Sequence, residues 1–261
     1  MTPTDDRIDA ATRIHEDLAT FVRGLDGTGL RAQSGCSEWD VAQVLGHLGS
    51  GAEIGLTTLD AAAAGEAPSM DAAQPVWDRW NTLDPEGKAQ NFTEWSGRLT
   101  DRYNAYNATE REEMRVKLPF LPEPVDLGTV LGLRLSELVH HDWDVRVAFD
   151  PQATLPAAGV AFVADDLAKW INFFGKPDAL DGAKATIAVR TTDPTREFGV
   201  EIADGISVGT TPAAPSATLT LPLEAWLRLV AGRLAPAHTP DSVSVTGDVE
   251  LDQLRRVFPG Y

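Results

Sequence analysis

The hydrophobic repeat changes period part-way along this chain of 261 residues, and that change limits the fold more than any other feature. As far as about residue 150, apolar residues recur at spacings of three and four, the period of a helix with one buried face. Beyond about residue 185 they alternate, the period of a half-buried strand. Charge shifts at the same place. Residues 1–150 hold 26 acidic and 13 basic side chains, a net of −13, and residues 151–261 hold 13 and 9, a net of −4. We therefore expect a helical domain over residues 1–152 and an α+β domain over residues 153–261.

In the first domain Ile8, Ala11, Ile14, Leu18, Phe21, Val22 and Leu25 mark one helix, which ends in the Gly24–Gly29 stretch. A second helix opens at Ser37-Glu-Trp-Asp40, with Ser37 as N-cap and Asp40 suited to the first turn. Val41, Val44, Leu45, Leu48 and Ile54 give its buried stripe. A third helical region runs loosely from Asp71 to Thr109, interrupted near Asp84-Pro85-Glu86-Gly87. After a break at Pro119, Pro122 and Pro124, Asp126 caps a fourth helix, which runs through Leu131, Leu135 and Leu138 to Phe149. Four such helices fit an antiparallel bundle.

The second domain opens with a helix over Ala157–Phe174. Ala185–Arg190 and Phe198–Ile202 then alternate around the turn Asp193-Pro194, the pattern of a hairpin. Ala217–Leu221 and Ser242–Val245 add strands, and Leu223–Leu234 and Leu251–Phe258 add helices. Helices segregated from a mostly antiparallel sheet make an α+β domain.

Composition removes several classes of function. Lys and Arg total 22 against 39 Asp and Glu, so the chain carries −17 with histidine neutral. Such a surface repels phosphate backbones, and no local basic patch offsets it, so nucleic acid is not an expected partner. The apolar runs fall short of the roughly 18 residues needed to span a membrane, so a membrane is not expected either. The start, MTPTDDRIDA, lacks the basic and apolar segments of a signal peptide, and a single cysteine, Cys36, cannot close an internal disulfide. The expectation is a cytoplasmic protein, monomer or homodimer, with small molecules for partners.

Of the five histidines, His47, His140 and His141 call for weighing. Glu137 and His141 lie four residues apart on the fourth helix, one above the other on one face, and Asp144 continues that stripe. His47 stands three residues after Val44, beside the apolar face of the second helix, and so points to the bundle interior. Two imidazoles and a carboxylate suit a catalytic divalent metal, zinc being the natural choice, with the fourth position open. Spacing alone leaves alternatives open, because a Glu/His pair at this interval also forms an ordinary surface ion pair, and a histidine in an apolar stripe is also an ordinary core residue. His140 points about 100° away from His141, while His15 and His238 have no partner spacing. Cys36 reads as a small packing residue just before the second helix, and Trp77, Trp80, Trp95 and Trp143 as packing, although one could wall a pocket.

The segment Cys36-Ser-Glu-Trp39-Asp-Val41-Ala-Gln-Val44-Leu-Gly-His47-Leu48 resembles the C-x-x-W-x-V-x-x-V-x-x-H-L signature of the mycothiol-dependent maleylpyruvate isomerase family, part of the wider DinB-like group of four-helix metalloproteins. Glu137-x-x-x-His141-x-x-Asp144 is similar to that family's E-x-x-x-H-x-x-D. The resemblance implies metal ligands at His47, Glu137 and His141, and a DinB-like four-helix bundle followed by a sterol-carrier-protein-like α+β domain. It also implies mycothiol as cosubstrate, with the metal presenting the thiol as thiolate at neutral pH. An Ala- and Arg-rich composition, with five Lys against 17 Arg, agrees with a high-GC genome.

Two reactions follow from such a thiolate. Addition or displacement on an electrophile is S-transferase chemistry, which we place first because isomerase activity belongs to only part of a broad family. Addition, bond rotation and thiol loss would isomerise maleylpyruvate. That dianion calls for an arginine, and Arg134, Arg146 and Arg233 are candidates. Arg134 also reads as neutralising Glu137. The resemblance favours Arg233, in Ala231-Gly-Arg233, as an arginine that assists the site; it also reads as a cation at a helix C-terminus. Asp144 is expected to orient a ligand or to solvate its helix end. A different class of reading is a metal-free bundle whose second domain binds an apolar ligand.

Overall fold

A computed structural model of the chain describes residues 2–180 and 182–260, with the backbone alone at residue 70. The chain divides into two compact units, Met1–Asp150 and Pro151–Tyr261.

The first unit is helical. Its elements are α1 (Pro3–Arg23), a single turn α2 (Gly27–Leu30), α3 (Val41–Ala63), α4 (Gln74–Asn81), α5 (Pro85–Ala105), α6 (Ala108–Glu113), a short antiparallel pair β1 (Arg115–Val116) and β2 (Val125–Asp126), and α7 (Leu127–Arg146). The long helices α1, α3, α5 and α7 make the bundle: α3 packs on α5 and α7, and α1 packs on the same two. Ile8, Leu45, Leu48, Phe92, Leu99, Leu131 and Leu135 are buried between them. One close approach comes at Gly49 of α3, where a Cβ would stand 2.2 Å from the Trp80 ring and 3.0 Å from Phe92 Cα.

Caps locate the helix starts. Asp126 accepts from Thr129 N at 2.7 Å, as its place before the fourth helix predicts. At the second helix the cap is Asp40 rather than Ser37. Asp40 accepts from Gln43 N at 2.7 Å and Gln43 accepts from Asp40 N at 2.9 Å, a reciprocal box that starts α3 at Val41. Ser37 sits instead in a turn closed by Trp39 N donating to Cys36 O. The fourth helix ends at Arg146, short of Phe149, because Phe149 N and Asp150 N both turn back to Arg146 O. The proline-rich break is the loop between β1 and β2.

The second unit contains α8 (Ala157–Phe174), β3 (Ala185–Thr192), β4 (Thr195–Ile202), β5 (Ile206–Gly209), β6 (Ala217–Leu221), α9 (Leu223–Val230), β7 (Ser244–Gly247) and α10 (Leu251–Val257). Its sheet runs β5-β4-β3-β6-β7. Three pairings are antiparallel and the fourth, β3 with β6, is parallel. The sheet is therefore mixed, and the unit is the expected α+β domain. Trp226 of α9 meets Phe198 and Phe258 edge-on at 5.6 and 6.0 Å in its core. α9 stops at Val230, short of Leu234, and Gly232 takes the left-handed backbone with φ +72° just beyond. No helix among the described residues is long and apolar enough to cross a membrane.

Candidate metal centre

Helix α3 carries His47 and helix α7 carries Glu137 and His141, and the packing of α3 on α7 brings the three together. His47 Nε2 lies 2.7 Å from Glu137 Oε2, and His141 Nε2 lies 3.5 Å from the same oxygen. One donor atom from each residue falls within 4.8 Å of the other two. The cluster has a closed side and an open one: the His141 side chain is 5% exposed, whereas those of His47 and Glu137 are 41% and 37% exposed.

The closed side is held from behind. Asp144 is fully buried, and its Oδ2 lies 2.8 Å from His141 Nδ1, which fixes the ring with Nε2 toward Glu137. Cys36 Sγ donates to the same Asp144 oxygen at 3.2 Å. The loop bearing Cys36 reaches α7 because Gly35 N donates to Asp144 O at 2.8 Å. A Cβ on Gly35 would come within 2.7 Å of Asp144 Oδ1 and 2.8 Å of the Trp143 ring, so the approach needs glycine. Trp39 completes the wall, its ring centroid 5.3 Å from that of His47 and 6.3 Å from that of His141.

These contacts set the charges. Burial disfavours an ionised Glu137, but its hydrogen bonds with His141 and His47 outweigh that and hold the carboxyl well below the usual carboxylate range. Burial likewise opposes charge on His141, yet bonds to Asp144, Cys36 and Glu137 push its pKa up to about 10. A tight proton-bearing cluster of this kind is what a cation replaces when it enters, releasing protons. Two ring nitrogens and one carboxylate oxygen, with one face open, fit a divalent metal chemically. Cys36, His141 and Asp144 also meet within 4.8 Å. Their donor atoms already bond one another on the closed side, so they back the first set rather than rival it.

A cleft of about 200 Å³ opens beside His47, walled by Trp39, Trp77 and Trp80, with Asn81 and Lys88 also lining it. Sequence reasoning did not single out Lys88, and read Cys36 as packing. Trp39 entered only through the family signature, and nothing in its spacing marks it as a neighbour of His141.

The other candidates have other partners. Arg134 donates to Leu48 O at 3.1 Å and Ser96 Oγ at 3.0 Å, tying α7 to α3 and α5, so neutralising Glu137 is not its principal contact. Arg146 is held by Asp142 at 2.9 Å and Asp17 at 2.6 Å, and lies over the Phe21 ring. His140 Nδ1 bonds Ser136 O at 2.8 Å within its own helix. Arg233 lies buried in the second unit, where its Nη1 donates to Ala231 O at 3.0 Å, just past the end of α9.

Residues 11–146 match the family model described as the mycothiol maleylpyruvate isomerase N-terminal domain, more than half of the chain. The chain belongs to that family. It is accordingly an enzyme, in a family named for a thiol-dependent isomerase. Residues 172–256 match the SCP-2 sterol transfer family model. Two solved structures are similar in fold over 95% of this chain and 95% of their own, each with 16% identity and a TM-score of 0.67. They are the mycothiol-dependent maleylpyruvate isomerase and a histidine-to-alanine mutant of it. No curated protein sequence matches.

Proposed function

We propose that this family member is a metal-dependent enzyme that uses mycothiol as cosubstrate to isomerise a small cis-unsaturated acid of the maleylpyruvate type. The observation that carries the reading is the convergence of His47 Nε2, His141 Nε2 and Glu137 Oε2 on one point at the edge of an open cleft. The family name and the names of its structural relatives support isomerisation over the S-transfer that sequence reasoning placed first.

His47, Glu137 and His141 would hold the metal, with zinc the expected ion. When bound, a divalent cation supplies the positive charge that keeps a thiol deprotonated at neutral pH. Asp144 accepts the Nδ1 proton of His141, so that Nε2 would present its lone pair once a cation displaces the proton it shares with Glu137. Cys36 Sγ–H steadies the same carboxylate. Trp39 covers both imidazoles and keeps water from one side of the cluster. Addition of the thiolate to one alkene carbon forms a C–S bond and moves the π pair onto the conjugated carbonyl as an enolate, so the former double bond can rotate. The returning pair then breaks the C–S bond, expels the thiolate and restores the alkene in the trans form, with no net oxidation or proton change.

Elemental analysis of the purified protein together with a turnover assay tests this. We expect about one zinc per chain, lost in His47→Ala, and conversion of maleylpyruvate to fumarylpyruvate only when the thiol is present. Accumulation of an S-conjugate in place of fumarylpyruvate would replace isomerisation by transfer. Protein that takes up no metal even after incubation with zinc would overturn the mechanism.

A further inference from the structure

We propose that the cleft beside His47 seats a small, flat, carboxylate-bearing acid and that Lys88 is the residue that binds its carboxylate. The proposal deepens the function above and rests on it for the reaction, though not for the binding.

Charge is the first argument. In a chain with 39 acidic and 22 basic side chains, no residue lining this cleft is acidic, and Lys88 is its single cation. Most arginines near the bundle surface are paired, as Arg31 is with Glu86, Arg98 with Glu94 and Arg146 with Asp17. Among the described residues the Lys88 ammonium has neither an ion-pair nor a hydrogen-bond partner. An unpaired cation facing a cleft with no acidic lining residue attracts an anion.

Position is the second. Lys88 lies in the first turn of α5, where the helix dipole disfavours a cation. Asp84, one turn before it, is engaged as the cap, accepting from Gly87 N at 2.7 Å. Helix stability therefore gives no reason for a lysine here, and departures of this kind from local rules mark functional positions. The stem is also placed: a Cβ on Gly46 would lie 3.2 Å from Lys88 Cδ and 3.6 Å from Cε. The glycine preceding His47 thus provides the track along which the lysine reaches the cleft.

Shape is the third. Trp39, Trp77 and Trp80 offer aromatic surface that suits a conjugated, planar body, and Asn81 adds an amide. About 200 Å³ falls below the ~300–1,000 Å³ of clefts that hold drug-sized ligands, which favours a small acid over anything of cofactor size.

Tryptophan fluorescence reports on this cleft directly, because three tryptophans line it. The probes are maleate and its uncharged dimethyl ester, titrated without thiol into the protein as purified, and into Lys88→Met and Lys88→Arg. We expect maleate to quench the wild type, to bind Lys88→Met about tenfold or more weakly, and to recover in Lys88→Arg. The ester should bind all three alike. Lys88→Gln replaces the methionine variant if that variant does not fold. Maleate affinity that ignores the substitution, or no maleate binding to the wild type, overturns the proposal. Turnover of maleylpyruvate with maleate binding indifferent to Lys88 would leave the reaction standing and remove this site. Lys88-dependent maleate binding without thiol-dependent turnover would do the reverse.

Discussion

Each unit gathers a cluster of ionisable side chains, and the two are built on opposite plans. In the second unit Arg228, 2% exposed, takes both oxygens of Glu224, through Nε at 2.7 Å and Nη2 at 2.9 Å, and gives Nη1 to His238 O at 2.7 Å. Cation and anion meet there, and donors find acceptors. In the bundle, by contrast, two imidazole nitrogens and a carboxylate oxygen turn toward one another with one side open. A buried cluster that satisfies itself is architecture, whereas one whose lone pairs converge has the valence for a cation.

Truncating the closed cluster should have the largest effect on folding. Glu224→Ala leaves Arg228 buried without its carboxylate and should cost about 3–5 kcal/mol, seen as a lower urea midpoint, with metal content unchanged. His47→Ala should cost the metal-free protein less than about 1 kcal/mol, because that side chain is 41% exposed. If His47→Ala unfolds the protein as Glu224→Ala does, the distinction between the clusters fails.

A smaller effect sharpens the picture of the open cluster. Asp144→Asn removes the carboxylate that orients His141, and zinc affinity should fall about 10–100-fold in competition with a chelator. An unchanged affinity would make Asp144 a folding residue only.

The smallest effect compares two buried histidines of one bundle. His141 gains carboxylate partners, while burial, and then the charge of Arg134, push His15 down from its ordinary 6.5 to about 4. Between those values the unfolded chain takes up the proton that folded His15 refuses, so stability falls as pH drops through that window. The loss should be on the order of 1 kcal/mol by pH 6 in denaturant titrations, and His15→Phe should flatten it. A slope unchanged in the variant would assign the pH dependence elsewhere.

Much of the fold was legible because helix and strand periods are local. The long helices α1, α3, α5, α7 and α8 fall where spacing of three and four places them, and the alternation at 185–202 is the β3–β4 hairpin. What escaped was short or contingent. β1, β2 and β5 have two to four residues each, too few for a period to show. Ser37 and Asp40 are both good caps, and only the reciprocal bonds with Gln43 decide between them. Lys88 drew no notice because a lysine in a first turn looks like a solvated surface residue until its cleft is seen.

The sequence by itself determined that Glu137, His141 and Asp144 share one face of α7, since 3.6 residues per turn leave no other arrangement. It also supplied the residue types that a metal requires. Only the tertiary structure decided that His47 faces Glu137, that Cys36 reaches Asp144, and that Lys88 enters an acid-free cleft. No local rule sets the register of one helix against another. That register comes from close approaches such as Gly49 against Trp80 and Gly35 against Trp143, where the absence of a single Cβ allows one element to seat on its neighbour.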